Sequence, residues 1–207
     1  MIIGLTGSVG SGKTTVAALL EDLVGATVLD ADAVVHRLQL PQAEGFKRII
    51  AVFGGHFLLA DGTLDRKALA ERVFSDPSEL KKLNDTLHPL VWDALRGELA
   101  SLASREWVVL MVPLLFETGM DAMADVTLVV TIDEANRAER LKERNRWSQT
   151  EIDQRLAAQM PEFEKVKLAD FVIRNDGDVQ SLRQELEALL PQMKQKVVDK
   201  FRVHTGA

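Results

Sequence analysis

Residues 7–14 read GSVGSGKT, which matches the pattern G-x-x-x-x-G-K-[ST] of a phosphate-binding loop. Glycines in such a loop let successive backbone N–H groups converge on phosphate oxygens. Lys13 carries a positive charge that reaches the β- and γ-phosphates of a nucleotide, and Thr14 offers a hydroxyl ligand to Mg²⁺. This stretch therefore predicts binding of ATP or GTP, with Thr14 as a metal ligand.

The residues around this loop support the match. Residues 1–6, MIIGLT, form a short apolar run of the kind found in buried parallel strands. Residues 14–20 have the apolar spacing of an amphipathic helix. A strand, a glycine-rich loop and a helix in this order aim the helix N-terminus at an anion. The residues predicted to hold the nucleotide here are Gly10, Ser11, Gly12, Lys13, Thr14 and Thr15.

Four further apolar runs predict the rest of a sheet. They lie at residues 26–30, 107–112, 126–131 and 171–173, and helical patterns separate them. Strands that alternate with helices are typical of a parallel sheet covered by helices on both faces. The predicted fold class is therefore α/β, with a five-stranded parallel sheet of the P-loop NTPase type.

Two long segments, at about 37–104 and 137–168, contain no predicted core strand. The remaining residues, about 1–36, 105–136 and 169–207, form the predicted core of a single chain. Insertions in such a fold are expected beyond the carboxyl ends of the strands, where ligands bind. We expect the first insertion to hold an acceptor molecule and the second, which is helical and rich in arginine, to act as a lid.

The composition is that of an ordinary globular protein. The chain has 207 residues, a net charge of −6 and no cysteine. The lack of cysteine excludes disulfides and thiolate metal sites, and the negative charge argues against nucleic acid as a partner. We find no signal peptide and no apolar run of the roughly 18–20 residues that cross a bilayer. We therefore expect a cytoplasmic protein with no membrane partner.

Basic residues are frequent in both strand-free segments. Most are expected on solvated helix faces, with acidic partners one turn away. In a protein that binds phosphates, some of them should point inward. Arg140 and Arg144, one turn apart on a predicted helix, are candidates to stabilise charge on a transferring phosphoryl group as the lid closes.

Two carboxylates, Asp30 and Asp32, follow the second predicted strand. Phosphoryl transfer to a hydroxyl benefits from a carboxylate that accepts the hydroxyl proton, and Asp32 suits this role. Asp30 has two alternatives: it helps to hold the hydration shell of Mg²⁺, or it caps the next helix. Capping remains an alternative for Asp32 as well. His36, one turn further on, is interpreted as a structural or surface residue.

The run PLLFE at residues 113–117 follows the third predicted strand. Its proline and apolar residues, Leu115 among them, are candidates for the wall of an acceptor site. Glu117 is a candidate to bond a hydroxyl or an amine of the acceptor. Many P-loop proteins end this strand with an aspartate that helps to bind Mg²⁺, whereas residues 110–112 here are LMV. The metal site would then depend on Thr14, the phosphates, water and one of the two aspartates.

Two further polar residues are candidates for ligand contacts. His88 precedes Pro89 at a predicted helix start, where unpaired N–H groups favour anions, so it could contact an acceptor phosphate. A structural role for His88 is equally open. Asn175 follows the fifth predicted strand and is placed either for the adenine site or for a turn with Asp176 and Gly177.

With these residues in place, the chain resembles the dephospho-CoA kinase family over almost its full length. The P-loop alone is generic, but the ordered set of motifs is specific. The matches are GLTG-x-x-GSGK-[ST]-T at 4–15, DAD at 30–32, G-x-L-x-R-x-x-L…V-F from 62 to 74, LHP at 87–89, PLL-x-E at 113–117, RL at 140–141, AAQM followed by K…AD between 157 and 170, and a strand that leads to Asn175. Residues 8–9 are Ser-Val where Gly-Ile is common, a departure that changes no predicted phosphate contact.

The resemblance implies an activity and roles for particular residues. The family uses MgATP to phosphorylate the ribose 3′-hydroxyl of dephospho-CoA, the last step of coenzyme A synthesis. By resemblance, Asp32 is the general base and Arg140 is the arginine of the lid. Lys13 and Thr14 serve ATP and Mg²⁺, and His88 with the first insertion receives the acceptor.

Other functions of a P-loop protein are disfavoured by the same residues. Nucleoside monophosphate kinases and shikimate-type kinases share the P-loop, the sheet and a lid, but the motifs at 30–32, 87–89 and 113–117 disfavour them. A GTPase switch is disfavoured because the sequence has no N-K-x-D motif. An ATP-driven transporter subunit is disfavoured because no L-S-G-G-Q motif is present.

Overall fold

A computed structural model of the chain describes residues 1–137, 141 and 149–205. The chain divides into two compact units. The first consists of Met1–Leu29 together with Leu102–Ala207, and the second of Asp30–Ser101. The nucleotide-binding motif lies in the first unit, and the second unit begins at the aspartates that follow the second strand.

A five-stranded sheet forms the centre of the first unit, and its order is β2-β3-β1-β4-β5. The strands are β1 (Ile2–Thr6), β2 (Thr27–Asp30), β3 (Val108–Met111), β4 (Val126–Thr131) and β5 (Phe171–Arg174). β1 pairs in parallel with β3 and with β4, and β4 pairs in parallel with β5. The predicted five-stranded parallel sheet is confirmed.

The described residues also form helices between the strands. They are α1 (Lys13–Val24), α2 (Ala31–Leu38), α3 (Glu44–Phe53), α4 (Arg66–Ser75), α5 (Pro77–Ser101), α6 (Gln149–Ala157), α7 (Glu162–Leu168) and α8 (Val179–Thr205). Residues 134–137 are helical as well. Short 3₁₀ turns cover Gly55–Phe57 and Met120–Met123.

The central strands are buried because helices cover the sheet. Leu5 and Leu128 have no exposed surface, and they pack in one cluster with Leu20 of α1 and with Leu186 and Met193 of α8. Burial of one such side chain is worth about 1.5–3 kcal/mol. The largely apolar sequences of β1, β3 and β4 follow from this burial, because a buried strand leaves few positions for polar side chains.

The second unit has its own apolar cluster, formed mainly by α3, α4 and the first half of α5. Ile49, Leu69, Val73 and Leu87 are buried in it. A turn at residues 61–62 joins two short extended pieces, which pair through an antiparallel bridge between Leu58 and Leu64. This unit therefore holds together through helix packing and contributes no central strand of the sheet.

The predicted helix start at His88 and Pro89 is wrong, because α5 runs unbroken from Pro77 to Ser101. Pro89 has no N–H and costs about 3 kcal/mol in a helix interior. Leu87, Val91 and Leu95 are buried along α5, and at about 1.5–3 kcal/mol each they outweigh that cost.

His88 consequently lies within a helix and faces no open helix N-terminus. Burial lowers the pKa of His88, and the carboxylate of Asp85 offsets only part of this shift. A lowered pKa disfavours the charged form of the ring, which weakens the case for a contact to an acceptor phosphate.

Candidate active site

The P-loop ends at the N-terminus of α1, and its geometry suits an anion. The N-cap residue Gly12 has φ 95° and brings no side chain to the N–H groups of the first helical turn. Lys13 donates from Nζ to the backbone oxygens of Gly7 at 2.8 Å and Ser8 at 3.1 Å, so its ammonium lies at the loop. Thr14 is exposed in the first turn of α1. Open N–H donors, a lysine charge and an accessible hydroxyl together fit a nucleotide phosphate.

Close packing requires glycine at two points of the loop. A Cβ added at Gly7 would lie 2.3 Å from the backbone oxygen of Val130, which is a severe clash. Gly10 has φ 80°, and an added Cβ there would lie 2.9 Å from Leu141 Cγ and 3.2 Å from Arg137 Cγ. The loop is thus enclosed by the end of β4 and by side chains that follow it.

Asn175 supports the P-loop from the end of β5. Its side chain donates from Nδ2 to the backbone oxygen of Ser11 at 2.8 Å, and its backbone N–H donates to Thr131 at 2.9 Å. The residue is 5% exposed. Asn175 therefore holds the loop in the structure, which differs from the adenine contact and the turn role considered for it from the sequence.

The loop after β3 is anchored by buried contacts. Leu115 is fully buried, and a Cβ at Gly4 of β1 would lie 3.0 Å from Leu115 Cδ2. The structure therefore gives Leu115 a packing role against β1, the central strand of the sheet, in place of the acceptor contact expected from the sequence. Pro113 accepts two hydrogen bonds at its backbone oxygen, from Thr6 Oγ1 at 3.2 Å and from Lys165 Nζ at 2.9 Å.

Glu117, expected to bond the acceptor, is engaged with the protein itself. Its Oε1 atom accepts from Lys165 Nζ at 2.8 Å and from the backbone N–H of Met160 at 2.8 Å. The side chain is 19% exposed, whereas that of Lys165 is completely buried. The carboxylate consequently joins the loop after β3 to the segment around α7.

A second set of contacts joins the start of α7 to the P-loop. Glu162 Oε2 accepts from Ser8 Oγ at 3.1 Å and from Arg137 Nη2 at 2.6 Å. Gln159 Oε1 accepts from the backbone N–H of Val9 at 3.1 Å. Ser8 thus places a hydroxyl at the P-loop, which a glycine at this position would not provide.

Four residues at this edge of the first unit were not singled out from the sequence. They are Arg137, Gln159, Glu162 and Lys165. Arg137 and Lys165 do belong to the basic groups from which inward-pointing members were expected, and both point inward. The nearest available signal was the AAQM…K…AD motif, which contains Gln159 and Lys165 but does not reveal their partners.

The second unit carries the candidate general base. Asp30 Oδ1 accepts from the backbone N–H of Asp32 at 2.9 Å and is the N-cap of α2, so its capping alternative is confirmed. Asp32 lies in the first turn of α2 and is exposed. His36 pairs through Nδ1 with Arg66 Nη1, which agrees with a structural role. Since Asp30 is the cap, Asp32 is not required for capping.

Arg140 and Arg144 lie outside the described residues. Among the residues that are described, no helix has the length and apolar character needed to cross a bilayer. Within the same residues, no group of three or more His, Cys, Asp or Glu side chains is arranged to hold a metal ion.

Comparison with known protein families gives one consistent result. The family model described as dephospho-CoA kinase matches residues 1–181. A dephospho-CoA kinase of Carboxydothermus hydrogenoformans is 40% identical over 197 residues, which cover 94% of this chain and 95% of that protein. Another, from Symbiobacterium thermophilum, is 43% identical over 189 residues, or 90% of this chain and 79% of that protein.

Solved structures agree with the family match. A protein from Thermus thermophilus has a TM-score of 0.78 and 42% identity, covering 93% of this chain and 97% of its own. The dephospho-CoA kinase from Campylobacter jejuni has a TM-score of 0.67 and 25% identity, with coverage of 94% and 97%. A shikimate kinase from Acinetobacter baumannii, at 19% identity, a TM-score of 0.53 and coverage of 92% and 93%, shares the fold alone.

Proposed function

The chain belongs to the dephospho-CoA kinase family, and from this we propose that it transfers the γ-phosphoryl group of ATP to the ribose 3′-hydroxyl of dephospho-CoA, which yields coenzyme A. The match of the family model to residues 1–181 carries the proposal. The P-loop geometry supports it, because open N–H donors and the Lys13 ammonium suit the phosphates of ATP.

We propose that Mg²⁺ accompanies the nucleotide. A divalent ion is generally required by kinases that use ATP, and Mg²⁺ commonly binds through one or two protein oxygens, several waters and substrate phosphates. The exposed Thr14 hydroxyl at the start of α1 fits this pattern. A dedicated cage of carboxylates is not needed for such a site. The ion would neutralise charge on the β- and γ-phosphates.

Asp32 is the proposed general base. Its carboxylate accepts the proton of the 3′-hydroxyl while the oxygen bonds to the γ-phosphorus and the bond to the leaving ADP oxygen breaks. Asp30 Oδ1 already caps α2, which supports a chemical role for the second carboxylate. The exposed position of Asp32 in the first turn of α2 is compatible with contact to a ligand.

The arginines of the proposed lid complete the scheme. By family resemblance, Arg140 stabilises negative charge on the transferring phosphoryl group. Arg144, four residues further along the sequence, is the proposed contact to the acceptor. The predicted extents of the acceptor subdomain, 37–104, and of the lid, 137–168, stay predictions. So do the cytoplasmic location and the absence of nucleic-acid partners.

On the acceptor side, we retain Glu117 and leave His88 as the weaker candidate. Glu117 binds Lys165 and Met160 through Oε1, and its second oxygen has no hydrogen bond to a described residue. That oxygen supports a contact to a hydroxyl or amine of the acceptor. The role expected for His88 assumed a helix N-terminus at Pro89, whereas His88 lies in the interior of α5.

An acceptor panel tests the proposal. The protein is incubated with MgATP and, separately, dephospho-CoA, AMP, CMP or shikimate, while ADP and the mass of each product are followed. Phosphorylation of dephospho-CoA alone is the expected result. No product from dephospho-CoA, or a faster reaction with shikimate or a nucleotide, would contradict it. Equal ADP formation without any acceptor would indicate an ATPase.

A further inference from the structure

Lys165 is a lysine with no exposed surface. Its Nζ atom lies 2.8 Å from Glu117 Oε1 and 2.9 Å from the backbone oxygen of Pro113. Fully buried lysines are rare unless they are paired. Both partners of this ammonium belong to the loop that follows β3, so Lys165 contacts that loop at two points.

Hydrophobic burial does not explain this placement. On the same short helix, Phe163 is 59% exposed and Leu168 is 56% exposed, while the ammonium of Lys165 is turned inward. Removing a charge from water costs several kcal/mol even after relaxation, and an apolar side chain in its place is often neutral or stabilising. Stability alone therefore gives no reason for a lysine here, whereas fixing the loop does.

The loop after β3, which Lys165 contacts, is also hydrogen-bonded to the strand that leads into the P-loop. Thr6, the last residue of β1, donates from Oγ1 to the same backbone oxygen of Pro113 at 3.2 Å. Gly7, the first residue of the P-loop, follows Thr6 directly. The Pro113 oxygen is therefore shared by the residue that leads into the P-loop and by the buried ammonium.

The segment of residues 159–165 also contacts the P-loop directly. At one end Gln159 accepts from the N–H of Val9, and near its middle Glu162 accepts from the hydroxyl of Ser8. At the other end Lys165 contacts the loop after β3. One short segment thus touches both the loop that binds phosphate and the loop from which Glu117 projects.

We propose that Lys165 is a positioning residue for the transfer reaction. Its ammonium fixes the loop of residues 113–117, and with it Glu117, at a set place relative to the P-loop. Alignment between the nucleotide phosphate and the acceptor depends on that placement. The inference rests on the proposed function. A misplacement of about 1 Å can cost about 100-fold in rate, so loss of the ammonium lowers turnover without removing any group that reacts.

Four variants test the role of Lys165. Lys165→Met removes the charge at similar length, and Lys165→Arg retains charge and donors. Lys165→Met combined with Glu117→Gln removes both charges, which keeps the core free of an unpaired carboxylate. Lys167→Met is the matched control, because Lys167 is an exposed lysine on the same helix that packs its ammonium over the Phe163 ring at 5.2 Å.

The measurements are kcat and KM for dephospho-CoA, the ATP Kd by calorimetry, the Tm, and hydrogen–deuterium exchange over residues 113–120 in the protein without ligands. For Lys165→Met and for the double variant, kcat/KM for dephospho-CoA is expected to fall about 10- to 100-fold. The ATP Kd should change less than about threefold, and exchange over 113–120 should rise. Lys165→Arg should recover most of kcat/KM, and Lys167→Met should match the wild type.

The outcomes separate this inference from the proposed function. If the wild type does not phosphorylate dephospho-CoA, the proposed function is wrong, and so is the role of Lys165 in that reaction. If the wild type is active and folded Lys165→Met has wild-type kcat/KM and exchange, only the role of Lys165 is overturned. A lower Tm with normal kcat/KM per folded molecule would likewise make Lys165 structural and overturn the inference.

Discussion

The side chain of Asn175 donates from Nδ2 to the backbone oxygen of Ser11 at 2.8 Å, and this buried hydrogen bond joins the end of β5 to the P-loop. Ser11 has no exposed surface, and Asn175 is 5% exposed. The bond satisfies a buried carbonyl that would otherwise lose its contact to water. The shape of the nucleotide loop consequently depends on a residue far along the chain.

Replacement of Asn175 by leucine should weaken binding of any ligand that uses the P-loop. The change leaves the Ser11 carbonyl unpaired at a cost of about 1–3 kcal/mol, part of which appears as an affinity about 5- to 10-fold lower. Calorimetry with ATP and with inorganic triphosphate measures the effect. Equal losses for the two ligands are expected. A loss for ATP alone would instead indicate that Asn175 contacts the adenine.

Asp32→Asn should abolish most turnover while ATP still binds. The amide has nearly the same shape but accepts a proton far less readily, and general base catalysis contributes about 10²- to 10⁴-fold. Steady-state kinetics with dephospho-CoA and a direct ATP titration separate the two effects. Asp93→Asn, at an exposed position of α5 in the same unit, controls for the lost charge. Unchanged turnover of Asp32→Asn would exclude it as the base.

Asp170 is expected to make the stability of the first unit depend on acid pH. Burial raises the pKa of Asp170, but hydrogen bonds from Lys196 and the Thr127 backbone, with the charge of Lys200, outweigh it and leave the pKa below its ordinary value. A carboxyl with a lowered pKa in the folded state stabilises that state above the unfolded-state pKa of about 3.9. The stabilisation is lost as the pH falls through the folded-state pKa.

Urea unfolding of the wild type and Asp170→Asn between pH 3 and 7 checks this prediction. The variant should be less stable by about 1–2 kcal/mol at neutral pH, below the about 1.5–3 kcal/mol of a hydrogen bond to a charged group, because the lysine partners of Asp170 are partly exposed and water screens the interaction. The difference should shrink as the pH falls below about 4, because the carboxyl is then protonated first in the unfolded chain and, at lower pH, in the folded protein. A difference that stays constant with pH would show that the amide disturbs packing and that ionisation is not responsible.

Gly7→Ala should be far more damaging than the same change at Gly25. The added Cβ at Gly7 would lie 2.3 Å from the Val130 oxygen, so either the P-loop or the end of β4 must move. Gly25 has φ 63° at the end of α1, but nothing lies within 4 Å of its added Cβ. We expect a loss of about 1 kcal/mol at Gly25, from backbone strain alone. Denaturant unfolding and ATP titration of both variants provide the comparison, and equal effects would contradict the packing argument.

Local patterns predicted the sheet, and local residues also mark helix starts. The strand at 126–131 has the bounds expected for it, and just before α5 the side chain of Asp76 accepts from the backbone N–H of Ser78 at 2.8 Å, as a capping residue does. Such features depend on neighbours in the sequence, so spacing and capping residues reveal them. The helix start predicted at Pro89 was wrong because the burial of Leu87, Val91 and Leu95 along α5 outweighs the local effect of the proline.

Side-chain directions at the site were less predictable than the elements that carry them. The pattern of α7, EFEKVKL, favours burial of its apolar residues and exposure of its lysines. The structure shows the opposite at two positions, since Phe163 is exposed and Lys165 is buried. Only the presence of a carbonyl and a carboxylate at one buried point makes that reversal favourable, and no local pattern contains those partners.

The sequence alone determined that this protein has a P-loop, a parallel α/β core and the motifs of one kinase family, because those features depend on residue types at fixed short spacings. Only the tertiary structure decided which of these side chains are buried and which atoms they contact. Leu115 packs against β1, and Asn175 donates a hydrogen bond to the P-loop. Lys165 is buried and donates to the loop after β3. These roles depend on atoms far apart in the chain, and burial and hydrogen bonding act on them only once the fold has brought them together.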